Sequence, residues 1–303
     1  MSNLKYSYVD FANVINGDSL YKKIIEKALS IQLEHTENHS EADILLIGPY
    51  GMNKQFYGEE KTNAWRIFIT GENQRPDYRW CDCSLTFDRF DNGGKNFRFP
   101  VWMLELNWFE DLKSTFTPEE SEWLINKNRP LARCLENIQA RKKKVVSIFN
   151  NPEHYRVSIF LKLAECGMAY GIGKPFGNWM DIPDPHDCYR EKCNIISQYL
   201  VNHCFENSIF PGYYTEKPLH ARAMGCLPLI FCDDHISMDF NPHGFLNLNN
   251  YILENEFIEY IRFLLMRNDI LKSKVDQDIF SKKPSLDGVL DFLNKQYNKF
   301  ETR

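Results

Sequence analysis

Apolar and polar positions alternate along the chain in two rhythms, and each rhythm predicts an element. Tyr6 to Phe11 reads as extended. Asp43-Ile-Leu-Leu-Ile47 and Arg66-Ile-Phe-Ile-Thr70 are short apolar runs of the kind that form buried strands. Between the first two, Asp18 to Ile31 sets Leu20, Ile24, Ile25, Ala28 and Leu29 on one side of a helix. Strand, helix and strand, with Gly71 closing the run that begins at Arg66, is the rhythm of a parallel sheet covered by helices.

A charged helical pattern then runs from Asp111 to Lys144, with no strand signal until Val145, and a domain boundary is expected at its end, dividing residues 1–140 from 141–303. Its basic close, Arg141-Lys-Lys-Lys144, reads as a solvated helix end. The alternation restarts with a strand at Val145 to Phe149, a turn at Asn150-Asn-Pro152 and a helix from Glu153 to Cys166. A further unit has a strand at Asn202 to Glu206, a loop to Tyr214, a helix from Glu216 to Met224 and a strand at Leu227 to Phe231. Gly225 follows that helix where a left-handed residue is often needed. Helical patterns at Glu254 to Met266 and Ser285 to Phe300 close the chain. The expected fold is α/β, two Rossmann-like domains facing a central cleft, where the carboxyl ends of both sets of strands would meet a ligand.

Composition narrows the partners. With 43% hydrophobic and 25% charged residues among 303, the chain is an ordinary globular protein long enough for two cores. A net charge of -5 speaks against a broad basic face, so no nucleic acid partner is expected. Met1 to Phe11 lacks the apolar core of a signal peptide and no run of 18 apolar residues occurs, which predicts a cytoplasmic protein, soluble or peripheral to a membrane. Nine cysteines, an odd number without a Cys-x-x-Cys pair, fit reduced thiols better than structural zinc. Asp276-Gln-Asp278 reads as a polar turn and not as a metal site.

Three stretches carry candidate chemistry. Cys204-Phe-Glu-Asn-Ser208 is followed by Tyr213-Tyr-Thr-Glu-Lys217 at the start of a helix. A carboxylate there can accept hydrogen bonds from the vicinal hydroxyls of a ribose while the neighbouring lysine supplies charge for a diphosphate. An isolated Thr-Glu-Lys is more often a pair of surface charges. Ser147-Ile-Phe-Asn-Asn-Pro152 precedes Arg156, and Phe68-Ile-Thr-Gly-Glu-Asn73 leads into Pro76-Asp77-Tyr78, Phe87-Asp88 and Arg98-Phe-Pro100. Glu72 stands just beyond a strand's carboxyl end, where open α/β sheets expose reactive groups.

Together these stretches resemble the α1,3-fucosyltransferases, glycosyltransferase family 10, from the Val9-Asp10-Phe11 region to about Leu248. The resemblance implies the glycosyltransferase B type of fold, with an amino-terminal acceptor-binding domain and a carboxyl-terminal donor domain. It assigns Arg156, Asn207, Tyr213, Glu216 and Lys217 to donor binding: Glu216 on the ribose, Arg156, Tyr213 and Lys217 near the diphosphate. Glu72 maps onto the family's general base. The implied reaction is a single inverting displacement from GDP-fucose onto GlcNAc of a lactosamine-type glycan, with GDP-fucose as donor substrate and no cofactor or metal required. Cys232 at a position where many relatives carry glycine, and Pro218 directly after Lys217, depart from the pattern and leave another GDP-sugar open. A catalytically silent nucleotide-sugar or glycan-binding protein is the rival class, and the sequence leaves oligomeric state open.

Overall fold

The computed structural model describes residues 3–11, 19–53, 63–178 and 185–303; Asp18, the first residue of the predicted helical run, lies outside them. Two compact units emerge, one of Met1–Met103 with Ser285–Arg303 and one of Leu104–Pro284. The expected boundary at residue 140 is therefore displaced, and the last helix changes sides.

In the first unit, strands β1 (Asn3–Val9), β2 (Gln32–His35), β3 (Ile44–Ile47), β4 (Trp65–Ile69), β5 (Cys83–Thr86) and β6 (Asn96–Arg98) form one sheet in the order β2-β1-β3-β4-β5-β6. Every pairing is parallel. All four residues of β3 are buried, as its unbroken apolar run requires. The helix Leu20–Leu29 starts where the Ser19 side chain accepts from the Lys22 amide at 3.2 Å, buries Ile24, Ile25 and Ala28, and stops at Ser30 in the left-handed region. The helix Asp287–Glu301 belongs to this unit because its side chains are spent there. Asn294 donates to the Ala28 carbonyl at 2.9 Å, Gln296 to the Gly94 carbonyl at 2.6 Å, and the Tyr297 ring meets buried Trp65 edge-on.

The second unit has a five-stranded parallel sheet of β7 (Lys142–Ile148), β8 (Ala169–Ile172), β9 (Tyr199–His203), β10 (Leu227–Ile230) and β11 (Leu246–Asn247), in the order β11-β10-β9-β7-β8. Its core includes Val145, Leu163, Leu229, Ile261 and Leu264, which carry no exposed surface. The charged stretch before β7 is no single helix. Short helices Pro118–Glu122 and Ala132–Glu136 flank a π turn that ends at Asn128 in the left-handed region, and Pro130 supplies no amide with which to continue a helix. These pieces are tied to the second unit: the Leu131 amide donates to the Ala223 carbonyl at 3.0 Å, and Asn128 donates to the Phe280 carbonyl at 2.9 Å. The basic run is strand and not helix end, since the Lys142 amide donates to the Gln198 carbonyl at 2.9 Å. Gly225 has φ 65, as its place after the helix Lys217–Ala223 predicted.

Between β7 and β9, Ser147 Oγ pairs with His203 Nδ1 at 3.0 Å inside the sheet. Burial, aided by the nearby Arg156 charge, lowers the His203 imidazole from 6.5 to about 3, so the fold holds it neutral. The unfolded chain therefore binds a proton that the fold does not between pH 6.5 and 3. This residue's contribution to stability is full above pH 6.5 and is lost as the pH falls through that window. Urea titrations from pH 7 to 4 are expected to show a stability slope that His203→Gln reduces by up to about 1.4 kcal/mol per pH unit.

Candidate active site

At the carboxyl ends of β7 and β9 a cavity of about 240 Å³ opens within the second unit. Of the predicted donor residues, Arg156, Asn207, Glu216 and Lys217 line it; Tyr213 does not. Tyr213 is buried, and its hydroxyl donates to Asn207 Oδ1 at 3.0 Å, so it holds a lining residue from behind.

Glu206 sets the geometry. Its carboxylate accepts from the Thr215 amide at 2.8 Å, from the Thr215 hydroxyl at 2.7 and 2.8 Å and from Lys217 Nζ at 2.6 Å. Phe-Glu-Asn-Ser and Tyr-Tyr-Thr-Glu-Lys are thus two halves of one hydrogen-bonded structure, and their spacing is the length of chain needed to fold the second back onto the first. The Tyr155 hydroxyl donates to the Glu206 carbonyl at 2.7 Å, which brings in the helix His154–Glu165.

Arg156, in the first turn of that helix, is buried. Its Nε and Nη2 donate to the Phe205 carbonyl at 2.9 and 2.7 Å, and Nη1 to the Asn151 carbonyl at 3.3 Å. Among the described residues three of its five N–H groups are so engaged, which fixes the plane of the guanidinium and leaves two donors for a ligand. Burial lowers its affinity for the proton, a shift that the carboxylate of Glu206 opposes.

Glu216 precedes the helix Lys217–Ala223 and places Oε1 3.0 Å from Lys192 Nζ and 3.7 Å from Lys217 Nζ. Burial pushes its carboxyl up, but Lys217 and Lys192 outweigh burial and hold it well below the usual carboxylate range. Three cations, Arg156, Lys192 and Lys217, line the cavity with one carboxylate, Glu216, an excess suited to an anionic ligand.

Glu72 is in the first unit, half-buried, in a tight turn after β4. Its amide donates to Thr70 Oγ1 at 2.9 Å and its carbonyl accepts from the Gln74 amide at 2.7 Å. A side chain at Gly71 would begin 2.8 Å from Val101, so the turn needs glycine for the close approach of its neighbour. The Tyr50 hydroxyl is raised by burial and by the Glu72 charge, which puts that phenol and this carboxylate in one neighbourhood.

A family model for the α-(1,3)-fucosyltransferase FucT N-terminal domain matches residues 7–105, and one for glycosyltransferase family 10 (fucosyltransferase), C-terminal, matches residues 127–273. The chain belongs to glycosyltransferase family 10. It is similar to the α-(1,3)-fucosyltransferase FucT of Helicobacter pylori, with 24% identity over 253 residues, 80% of this chain and 52% of the relative, so it spans about half the length of that protein. A crystal structure of an α1,3-fucosyltransferase shares the fold at a TM-score of 0.69 and 20% identity, covering 98% of this chain and 90% of the other. An α1,3-fucosyltransferase solved with GDP-fucose matches at a TM-score of 0.66 and 20% identity, covering 97% and 90%.

Both departures from the family pattern fit their places. Pro218 falls in the first turn of its helix, where a missing amide leaves no bond unmade. Cys232 is buried with φ outside the positive region, its carbonyl accepting from the side-chain Nδ2 groups of Asn247 and Asn249 at 2.7 Å each, so glycine's freedom is not required there. Asp276 and Asp278 face Arg129 at 4.0 and 3.5 Å in an exposed turn. Among the described residues no cluster of three histidine, cysteine or acidic side chains could hold a metal.

Lys192 and Tyr189, on the helix Pro185–Ile196, line the cavity without having been singled out in the sequence. The apolar spacing of Cys188, Tyr189, Cys193 and Ile196 was the available sign of that helix. The role of Glu206 is directly testable. Glu206→Gln removes the charge opposite Lys217 and is expected to cost about 1 to 3 kcal/mol in urea unfolding. Glu165→Gln, at an exposed position on the helix His154–Glu165, is expected to stay within about 0.5 kcal/mol of the parent.

Proposed function

We propose that this chain is an inverting fucosyltransferase that moves fucose from GDP-fucose to a hydroxyl of GlcNAc in a lactosamine-type glycan. The observation that carries the reading is one cavity lined by Arg156, Asn207, Glu216 and Lys217, in a chain of glycosyltransferase family 10. Glu216 accepts the ribose hydroxyls. Arg156, with two donors to spare, and Lys217 meet the diphosphate and stabilise the negative charge that grows on the departing GDP. Glu72 is the general base: it takes the proton of the acceptor hydroxyl as that oxygen bonds to the anomeric carbon and the bond to the β-phosphate oxygen breaks. The sugar inverts because a single displacement enters opposite the leaving group. No step calls for a cofactor.

The first unit is the proposed acceptor-binding part. A cytoplasmic place for the protein, with contact to membranes only at their surface, completes the reading. It is supported by nine cysteines that form no disulfide and by the finding that no described helix is long and apolar enough to cross a membrane.

Purified protein incubated with GDP-fucose and N-acetyllactosamine in the presence of EDTA is expected to add one deoxyhexose to the glycan, read by mass, with release of GDP. Glu72→Gln is expected to lower kcat by about 100-fold or more while GDP-fucose affinity stays within about two-fold. Equal use of GDP-mannose would replace the donor assignment. Binding of GDP-fucose with no transfer to any glycan would favour the silent binding protein.

A further inference from the structure

Glu216 has a cation beside it in sequence, yet that cation is committed elsewhere. Lys217 Nζ gives its short contacts to Glu206 and Thr215, both at 2.6 Å, and stands 3.7 Å from Glu216. The ammonium that does hydrogen-bond Glu216 comes from a different helix: Lys192 Nζ reaches Oε1 at 3.0 Å. The side chains of Lys192 and Glu216 are only 14% and 12% exposed, so the contact is little weakened by solvent. Glu216 Oε2 takes no hydrogen bond among the described residues, which leaves it to an incoming hydroxyl.

The helix Pro185–Ile196 is built to deliver this contact. Arg190 donates to both Glu120 oxygens, at 2.6 and 3.0 Å, and to the Thr115 carbonyl at 3.2 Å. Residues two apart on a helix point roughly 200° apart, so the anchor at Arg190 turns Lys192 to the other side, toward the cavity. Cys193 and Ile196 are fully buried beneath and fix the helix's roll.

We propose that Lys192 is a positioning residue for the donor nucleotide: by occupying Oε1 it holds the Glu216 carboxylate in place, with Oε2 presented to the ribose hydroxyls. The inference rests on the donor reading above and adds a residue from an element outside the recognised motifs. Lys192 on this account selects ribose through Glu216 and does not itself bind phosphate.

The test is equilibrium binding of GDP and 2′-deoxy-GDP, by calorimetry, to the parent chain, Lys192→Met and Lys192→Arg, each checked for folding by circular dichroism. The parent is expected to prefer GDP by about ten-fold or more, the effect of a hydrogen bond to a charged group. Lys192→Met is expected to bring that ratio to within about three-fold of unity, and Lys192→Arg to restore most of it. A variant that weakens both nucleotides equally and keeps the ratio would assign Lys192 to the phosphates and overturn the proposal, as would a ratio unchanged in folded Lys192→Met. If the parent binds GDP without ribose preference, the role of Glu216 and with it the inference falls, while donor binding stands. If the parent binds neither nucleotide, the donor reading itself fails first.

Discussion

Glu206 lies buried at the end of β9 and gathers donors from the loop that follows: the amide and hydroxyl of Thr215 and the ammonium of Lys217. A carboxylate out of water is costly unless its lone pairs are taken, and here the groups that take them are the ones that shape the cavity. Glu206 and its neighbour Phe205 also offer their carbonyls to the helix His154–Glu165, Phe205 to Arg156 and Glu206 to Tyr155. One buried charge thereby couples strand, loop and helix. The motif's glutamate is a scaffold, and its asparagine and the later glutamate and lysine reach the cavity.

Around this scaffold the charges are arranged in relays. Lys217 is held by Glu206, Glu216 by Lys192, and the helix that carries Lys192 by Arg190 on Glu120. The partners hold Lys217 and Glu216 where they line the cavity, and Arg190 on Glu120 does the same for the helix that carries Lys192. That is the kind of preorganisation an anionic nucleotide needs, because lysine and arginine side chains frozen before binding lose less entropy on binding. The neutral, buried His203 behind Phe205 adds no charge to the balance.

Much of this was legible along the chain. The apolar runs at Ile44 to Ile47, Val145 to Ile148 and Leu227 to Ile230 could only be buried parallel strands, and the helices after β7 and after the Thr-Glu-Lys triplet appear within a residue or two of the expected ends. Four of the five residues expected to bind the donor meet in one cavity because the motifs follow strand ends of a single sheet, where the fold's topology collects them. Short strands such as β5 and β6 gave weaker signals, being only a few residues long with serine, threonine and asparagine among them.

Local pattern determined the strands, the helices that cover them and the motifs, since hydrophobic period and turn chemistry are properties of neighbouring residues. Tertiary structure alone decided which unit each peripheral segment joins. The last helix follows Asn294 and Gln296 to carbonyls of the first unit, and residues 104–140 follow Leu131 and Asn128 to the second. It also decided that Tyr213 stands behind Asn207 and that Lys192, from a helix outside every motif, completes the ring of charge around Glu216. Those are contacts between residues far apart in the chain, and neither spacing nor periodicity encodes which distant partner a side chain will meet.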